Sequence, residues 1–264
     1  MKNHVGCSDI LFVTLDTLRY DVAQSMFESG RLPHLASCLP ARGWERRHSP
    51  STFTFAAHQA FFAGFLPTPI EPGIHPRLFA SEFGGSESTT EQTFAYPEAT
   101  LPQALSRMGY HTLCVGGTGF FNPANALGKV LPSLFDESHW SKEMGVADRD
   151  SANNQVNCAV EAIDRQRDKR VFCFINFSAI HQPNWFYDSE APPTDGRDSI
   201  QSHAAALAEI DRQLPRLLTC LRQRGSLFGI ICSDHGTAYG EDGYWGHRVA
   251  HPTVWEVPYA EFEW

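Results

Sequence analysis

The chain has 264 residues, 42% hydrophobic and 12% aromatic, enough to fill one large core or two small ones. Its formal net charge of -9 argues against a nucleic-acid partner, so an anionic substrate would have to be met by a metal or by a local group of Arg and His. No apolar run approaches the roughly 20 residues of a membrane helix, so no membrane partner is expected.

Seven cysteines are present: Cys7, Cys38, Cys114, Cys158, Cys173, Cys220 and Cys232. The number is odd, no C-x-x-C pair occurs, and Cys114, Cys173 and Cys232 sit in apolar runs. This predicts buried, reduced thiols. With no signal-peptide pattern at the N-terminus, the expected location is cytoplasmic.

Asp9–Leu15 (DILFVTL) is an apolar run of the kind that forms a parallel strand buried on both faces. It stops at Asp16, which puts a carboxylate at a strand end, where ligand sites form in open α/β sheets. Asp16 is either a metal-directed carboxylate or a cap for the next helix, a role equally open to Thr17 and Asp21. A short helical segment over 32–39 and a strand over 42–48 follow. Residues 55–64 are helical in composition, with Gly64 and Pro67 as stop signals. Thr54 therefore stands at a helix N-terminus, where amides and the helix dipole favour an anion. Its hydroxyl is a helix cap or a nucleophile. Residues 66–98, rich in Pro, Gly, Ser and Thr, form a long loop that can cover a site.

Residues 101–108 are a helix with Pro102 in its first turn and Gly109 at its end. Residues 111–116 are the next strand, and 134–140 a short edge strand. Residues 151–167 form a helix with Val156, Ala159, Val160 and Ile163 on one face. Residues 171–178 (VFCFINFS) are another buried strand. Near its end His181 is either functional or packed beside Trp185. A long helix over 199–224 turns Ala206, Ile210, Leu214, Leu217 and Leu221 to the sheet, and Pro215 predicts a kink or break in it. The apolar run 228–232 ends in Asp234-His235-Gly236, a carboxylate and an imidazole able to grip one divalent metal. A glycine-spaced loop then carries Glu241, Asp242 and His247, and 255–262 reads as a last edge strand. Alternating strands and helices predict an α/β fold, a mostly parallel central sheet with helices on both faces, as a single domain over 1–264 without repeats.

Four stretches then occur in a familiar order: DILFVTLDTLRYD, STFTFAAHQAFFAGFLP, HQP, and IICSDHG with GEDGYWGH. Together they resemble the sulfatase-like branch of the alkaline phosphatase superfamily, most of all its short bacterial metalloenzymes. The stretch ALAEIDRQLPRLL is similar to that family's helix before the metal strand. The resemblance spans most of the chain. It implies an alkaline phosphatase/sulfatase-like core with the C-terminal subdomain reduced or absent. It also implies a metal held by Asp16, Thr54, Asp234 and His235, with Thr54 as the nucleophile. His181 and His247 are implied at the anionic or leaving group, as catalytic and substrate-binding residues. His58 is expected either to hydrogen-bond the bound anion as a substrate contact or to be structural beside the helix.

The sequence also departs from that pattern. Sulfatases proper carry Cys-x-Pro-Ser-Arg, the formylglycine precursor, where this chain has Thr54-Phe55-Ala56-Ala57-His58. They carry a second Asp where this chain has Thr17. Two carboxylates, an imidazole and a hydroxyl favour Mn²⁺ or Zn²⁺ over Ca²⁺. No Asp-x-x-x-His spacing occurs, so one metal is expected, with His181, His203, His247 and His251 available to a second. The expected activity is metal-dependent hydrolysis of a phosphate or related (sulfate, phosphonate) ester on a small anionic substrate, through a covalent Thr54 intermediate. A transferase or mutase on the same core, or an inactive metal- or ligand-binding protein, are the alternatives. Neither the substrate nor the oligomeric state has a signature in the sequence.

Overall fold

The apolar runs become the middle of one sheet. The computed structural model describes residues 1–64, 78–81, 91, 93–188 and 196–264. Its strands are β1 (Asp9–Leu15), β2 (Glu45–His48), β3 (Phe79–Ser81), β4 (Phe94–Tyr96), β5 (His111–Val115), β6 (Glu137–His139), β7 (Val171–Phe177), β8 (Leu227–Cys232), β9 (Ala238–Tyr239), β10 (Trp245–Gly246) and β11 (Glu256–Glu263). Its α-helices are α1 (Tyr20–Glu28), α2 (Thr54–Ala63), α3 (Leu101–Arg107), α4 (Ser151–Asp164), α5 (Ile200–Arg224) and α6 (Pro252–Trp255). Seven of these strands pair in the order β2-β11-β8-β1-β7-β5-β6. From β8 to β6 all neighbours are parallel, while β11 runs antiparallel to both β8 and β2. β1, β7 and β8 are buried at every position, which explains their unbroken apolar sequences.

The two-residue period of a strand divides the core between the faces. Leu11, Val13 and Leu15 of β1 pack with α1, α4 and α5, whereas Ile10 and Phe12 pack with α2 and α3. By the same parity Thr14, and Asp16 just beyond the strand, belong to the α2 face. This alternation aims the first carboxylate at the N-terminus of α2. At its other end α2 stops at Gly64, whose φ of 69° and close approach to the Phe79 carbonyl leave no room for a side chain.

Several expectations need correcting. The segment 32–39 is not an α-helix; only a 3-10 turn forms over Leu35–Cys38, tied by the Asp211 carboxylate to the amides of His34 and Leu35. Pro215 does not break α5, which runs on because Leu214, Leu217, Leu218 and Leu221 around it are buried on the sheet. The last strand is not an edge: β11 lies between β8 and β2, and the short charged β2 takes the edge. Within the predicted loop 66–98, β3 and β4 pair in parallel; the remainder, Pro67 included, lies largely outside the described residues. Neither Asp16, Thr17 nor Asp21 caps α1 through its side chain, because the cap position is Arg19. All seven cysteines are free, and four of the five buried ones are Cys114, Cys173, Cys220 and Cys232. Among the described residues no helix is long and apolar enough to cross a membrane.

Candidate active site and metal centre

Strand register brings the site together. Thr14 of β1 lies opposite Cys232 of β8 and Asn176 of β7, so Asp16, two residues on, emerges beside Asp234. The Asp16 amide continues the ladder by donating to the Phe177 carbonyl at 3.1 Å. Thr17 then adopts φ 64°, a left-handed conformation rare for a β-branched residue. That turn directs its amide to Asp234 Oδ1 at 3.2 Å, and the His235 amide donates to the same oxygen at 3.0 Å.

Asp16, Asp234 and His235 are fully buried, and one ligand atom from each lies within 4.8 Å of the others. His235 Nδ1 donates to the Gly236 carbonyl at 2.9 Å, which leaves Nε2 as the unprotonated nitrogen. Thr54 Oγ1 lies 3.3 Å from that Nε2 and 3.4 Å from Asp16 Oδ2. The hydroxyl has one proton for two acceptors. Asp16 Oδ1 and Asp234 Oδ2 are buried and have no hydrogen-bond partner. A closed volume with this surplus of lone pairs is the environment a cation repairs. The four residues thus fit one divalent metal. Burial, reinforced by Asp234, pushes the Asp16 carboxyl up to about 6. Burial pushes Asp234 up to about 7 against the pull of the Thr17 and His235 amides.

Thr54 is the first residue of α2. The cap position is Phe53, and no side chain caps the helix there. The cap alternative for Thr54 is therefore removed: its hydroxyl faces the carboxylates instead of its own amides.

Of the two roles expected of His58, the structure shows the structural one and not the substrate contact. Its ring is fully buried, with Nδ1 donating to the Thr54 carbonyl at 2.7 Å and Nε2 accepting from Thr14 Oγ1 at 3.0 Å. The rings of Phe61, Phe62, Phe121 and Phe174 enclose it. Burial holds its imidazole down at about 3, so it is neutral, and neither nitrogen is left for a bound anion. His58 positions Thr54.

His181 and His247 do come to the site. Their rings lie 5.4 Å apart, and His247 lies 4.8 Å from His235, centroid to centroid. His181 Nδ1 donates to the Gln182 carbonyl at 2.5 Å, which turns Nε2 outward without a partner among the described residues. His247 Nδ1 is buried and unpaired. Burial first, then His235 and His181, hold the His247 imidazole down at about 3. The other two histidines offered to a second metal are spent elsewhere. His203 accepts from the Arg19 amide and meets the Tyr239 hydroxyl at 3.0 Å, and His251 caps α6 and meets Asp242.

Three contributors have no motif in the sequence. Asn176 donates to Asp16 Oδ2 at 3.1 Å and to Thr14 Oγ1 at 3.2 Å. The signal for it was an Asn inside the apolar run VFCFINF. Thr17 supplies the amide described above. Arg248 lies next to His247 with φ 68°, its amide bonded to the Thr52 carbonyl and its guanidinium 5.9 Å from the Phe53 ring. Its side chain is exposed and has no acceptor among the described residues. Its charge helps keep His235 and His247 neutral.

The family model for sulfatases matches residues 8–260. The chain belongs to the sulfatase family. No curated protein matches its sequence. Solved structures with this sulfatase fold include the C-terminal periplasmic domain of phosphoethanolamine transferase EptC from Campylobacter jejuni, at 13% identity, covering 97% of this chain and 79% of that one, TM-score 0.64. The C-terminal periplasmic domain of EcEptC from Escherichia coli in complex with Zn aligns at 10% identity over 98% of this chain and 74% of that one, TM-score 0.62. A protein of the alkaline phosphatase superfamily from Vibrio parahaemolyticus aligns at 15% identity over 97% of this chain and 60% of that one, TM-score 0.56. At these identities the likeness is one of fold. The expected cytoplasmic location is overturned here, because two of these neighbours are periplasmic domains and point away from the cytoplasm. Free cysteines do not decide the compartment: a buried thiol with no partner in reach stays reduced in either one.

Proposed function

We propose that this sulfatase-family protein is a metal-dependent enzyme that takes a phosphoryl-type group from a small anionic ester onto the Thr54 hydroxyl and passes it to water. The observation that carries this is Thr54 Oγ1 beside Asp16 and His235 in a buried cluster of unpaired lone pairs. Asp16, Thr54, Asp234 and His235 would hold one divalent metal, Mn²⁺ or Zn²⁺. That metal supplies a Lewis acid that lowers the pKa of the hydroxyl and offsets charge on the transferred group.

The remaining chemistry belongs to the chain. His58 fixes the first turn of α2 through the Thr54 carbonyl, and so fixes the direction of the nucleophile. The first amides of α2 have no intrahelical acceptor and face the developing charge. In the first half the Thr54 hydroxyl gives its proton to Asp16 Oδ2, the acceptor it faces, and the Thr54 oxygen–phosphorus bond forms while the bond to the leaving oxygen breaks. His181, as imidazolium with Nδ1–H kept on the Gln182 carbonyl, gives its Nε2 proton to that oxygen. In the second half His181 takes a proton from water, whose oxygen displaces Thr54, and the proton held on Asp16 returns to the Thr54 oxygen. His247, whose ring lies 4.8 Å from that of His235, and Arg248 next to it would serve as donors to the non-bridging oxygens. A threonine at this position has no route to formylglycine, so a phosphate ester fits better than a sulfate ester.

A second reading replaces water by another alcohol. The Campylobacter neighbour is a phosphoethanolamine transferase, and the same covalent Thr54 intermediate serves either acceptor.

The test is turnover of phosphomonoesters, phosphodiesters and sulfate esters with added Mn²⁺ or Zn²⁺, with acid-quenched peptide mapping for a modified Thr54. A Thr54→Val protein that turns over an active substrate at the wild-type rate overturns the covalent route.

A further inference from the structure

Phe53 and Phe55 flank the Thr54 hydroxyl in sequence, and neither is used by the mechanism above. Phe120, from the loop after β5, meets both: its ring centroid lies 6.4 Å from that of Phe53 and 5.8 Å from that of Phe55. All three are half-buried, at a point where the neighbouring Phe61, Phe62 and Phe121 are buried in the core. The loop that carries Phe120 is anchored at the site, since the Thr118 amide donates to Asn176 Oδ1 at 3.3 Å and Asn176 in turn holds Asp16. Gly117 permits that approach: a side chain there would lie 2.5 Å from the Asn176 carbonyl. Three half-buried phenyl rings thus lie together beside the residue that carries the hydroxyl and form one apolar wall, with the Arg248 guanidinium 5.9 Å from the Phe53 ring at its edge.

We infer that the wall of Phe53, Phe55 and Phe120 is the subsite for the organic group of the ester, and that this group is a planar, apolar ring, so that the substrate class is an aryl ester. The inference rests on the ester reading above. An ester whose phosphorus meets Thr54 has to lay its organic part near the residues that flank Thr54. The three rings themselves offer π faces and no hydrogen-bond donor or acceptor, so away from Arg248 the wall rewards a flat apolar group and gives nothing to a hydroxyl. A ring set against it continues the tilted aromatic stack already present, the geometry aromatic pairs prefer. This applies whether water or an alcohol completes the reaction.

The experiment is calorimetric titration of the Zn²⁺-loaded protein with phenylphosphonate, methylphosphonate and 2-aminoethylphosphonate, which share one anionic head and differ only in the organic group. Phenylphosphonate should bind about tenfold tighter than methylphosphonate. In Phe120→Ala the ratio should fall to about two, and Phe120→Tyr, which keeps the ring, should restore it. Both variants alter a half-exposed side chain, and circular dichroism on each reports whether the fold is retained. Equal binding of phenyl and methyl compounds, or a ratio unchanged in Phe120→Ala, overturns the aryl subsite and leaves the ester reading standing. Tightest binding by 2-aminoethylphosphonate also overturns it, since the wall would then be serving an ammonium group. No binding by any of the three overturns the ester reading and this inference with it.

Discussion

His58 Nδ1 lies 2.7 Å from the carbonyl oxygen of Thr54, one turn back along the same helix, and its other nitrogen is held by Thr14 of the central strand. The helix that carries Thr54 is thus tied to the strand that leads into Asp16. His58→Phe fills the space but leaves the Thr14 hydroxyl without its buried acceptor, so a loss of about 1–3 kcal/mol is expected. Turnover should fall through kcat with KM nearly unchanged, as for a residue that positions the nucleophile and does not touch the anion. Thermal unfolding and steady-state kinetics on one preparation check this; a large rise in KM alone would return His58 to the substrate.

Thr54 separates hydroxyl chemistry from helix capping. Since Phe53 holds the cap position, Thr54→Val forfeits none of the about 1 kcal/mol that a cap contributes, and its melting temperature should stay near wild type. Its turnover should vanish, while Thr54→Ser retains a measurable rate. A strongly destabilised but active Thr54→Val would invert the assignment.

Metal binding should be visible in stability and should depend on pH. The Asp16 and Asp234 carboxyls are raised from 3.8 to about 6 and about 7, so the metal-free native state holds protons that the unfolded chain has released. Their contribution to stability is full below the unfolded value and is lost as pH rises through about 6 to 7. Metal replaces those protons. The rise in melting temperature on adding Mn²⁺ or Zn²⁺ should therefore be larger at about pH 8 than at about pH 5. The buried neutral His203 titrates in the opposite sense, but in the metal-free and metal-bound proteins alike, so it cancels from the difference. An equal rise at both pH values would contradict the site.

Asp234→Asn tests the same repulsion by another route. Without metal at about pH 8 it removes one of two buried carboxylates that face each other, so it should match or exceed wild type in stability. With metal added the order should reverse, because only the wild type gains a ligand set. A metal-induced stabilisation equal to wild type would show that Asp234 is not a ligand.

Arg19 holds the loop that carries His247. Its buried guanidinium binds both Asp21 oxygens, at 2.9 and 2.6 Å, and also the Glu241 carboxylate, whose other oxygen accepts the Tyr239 amide. Arg19→Met should cost about 2 kcal/mol, less than a fully buried pair because Asp21 is exposed. It should also loosen β9 and β10, seen as faster amide exchange over 238–247 than elsewhere. Uniform exchange across the chain would assign Arg19 to general stability.

The sequence alone determined the central strands β1, β7 and β8, their burial and the two strand ends where Asp16 and Asp234-His235 emerge. Those properties are local: an apolar run, its length, and the polar residue that stops it. Tertiary structure decided what the polar residues do there. Thr54 read as a cap or a nucleophile, and only the fold puts its hydroxyl between Asp16 and His235, 38 and 181 residues away. His58 looked available until both nitrogens proved occupied, one of them by Thr14 across 44 residues. Asn176 and Arg248 entered the site only through register and a left-handed turn. β11 was read as an edge because one strand's alternation does not report how many neighbours it will pair with. Periodicity is set by each residue's own backbone and is legible along the chain. A hydrogen-bond partner is set by which strand ends meet in space, and no window of sequence contains both.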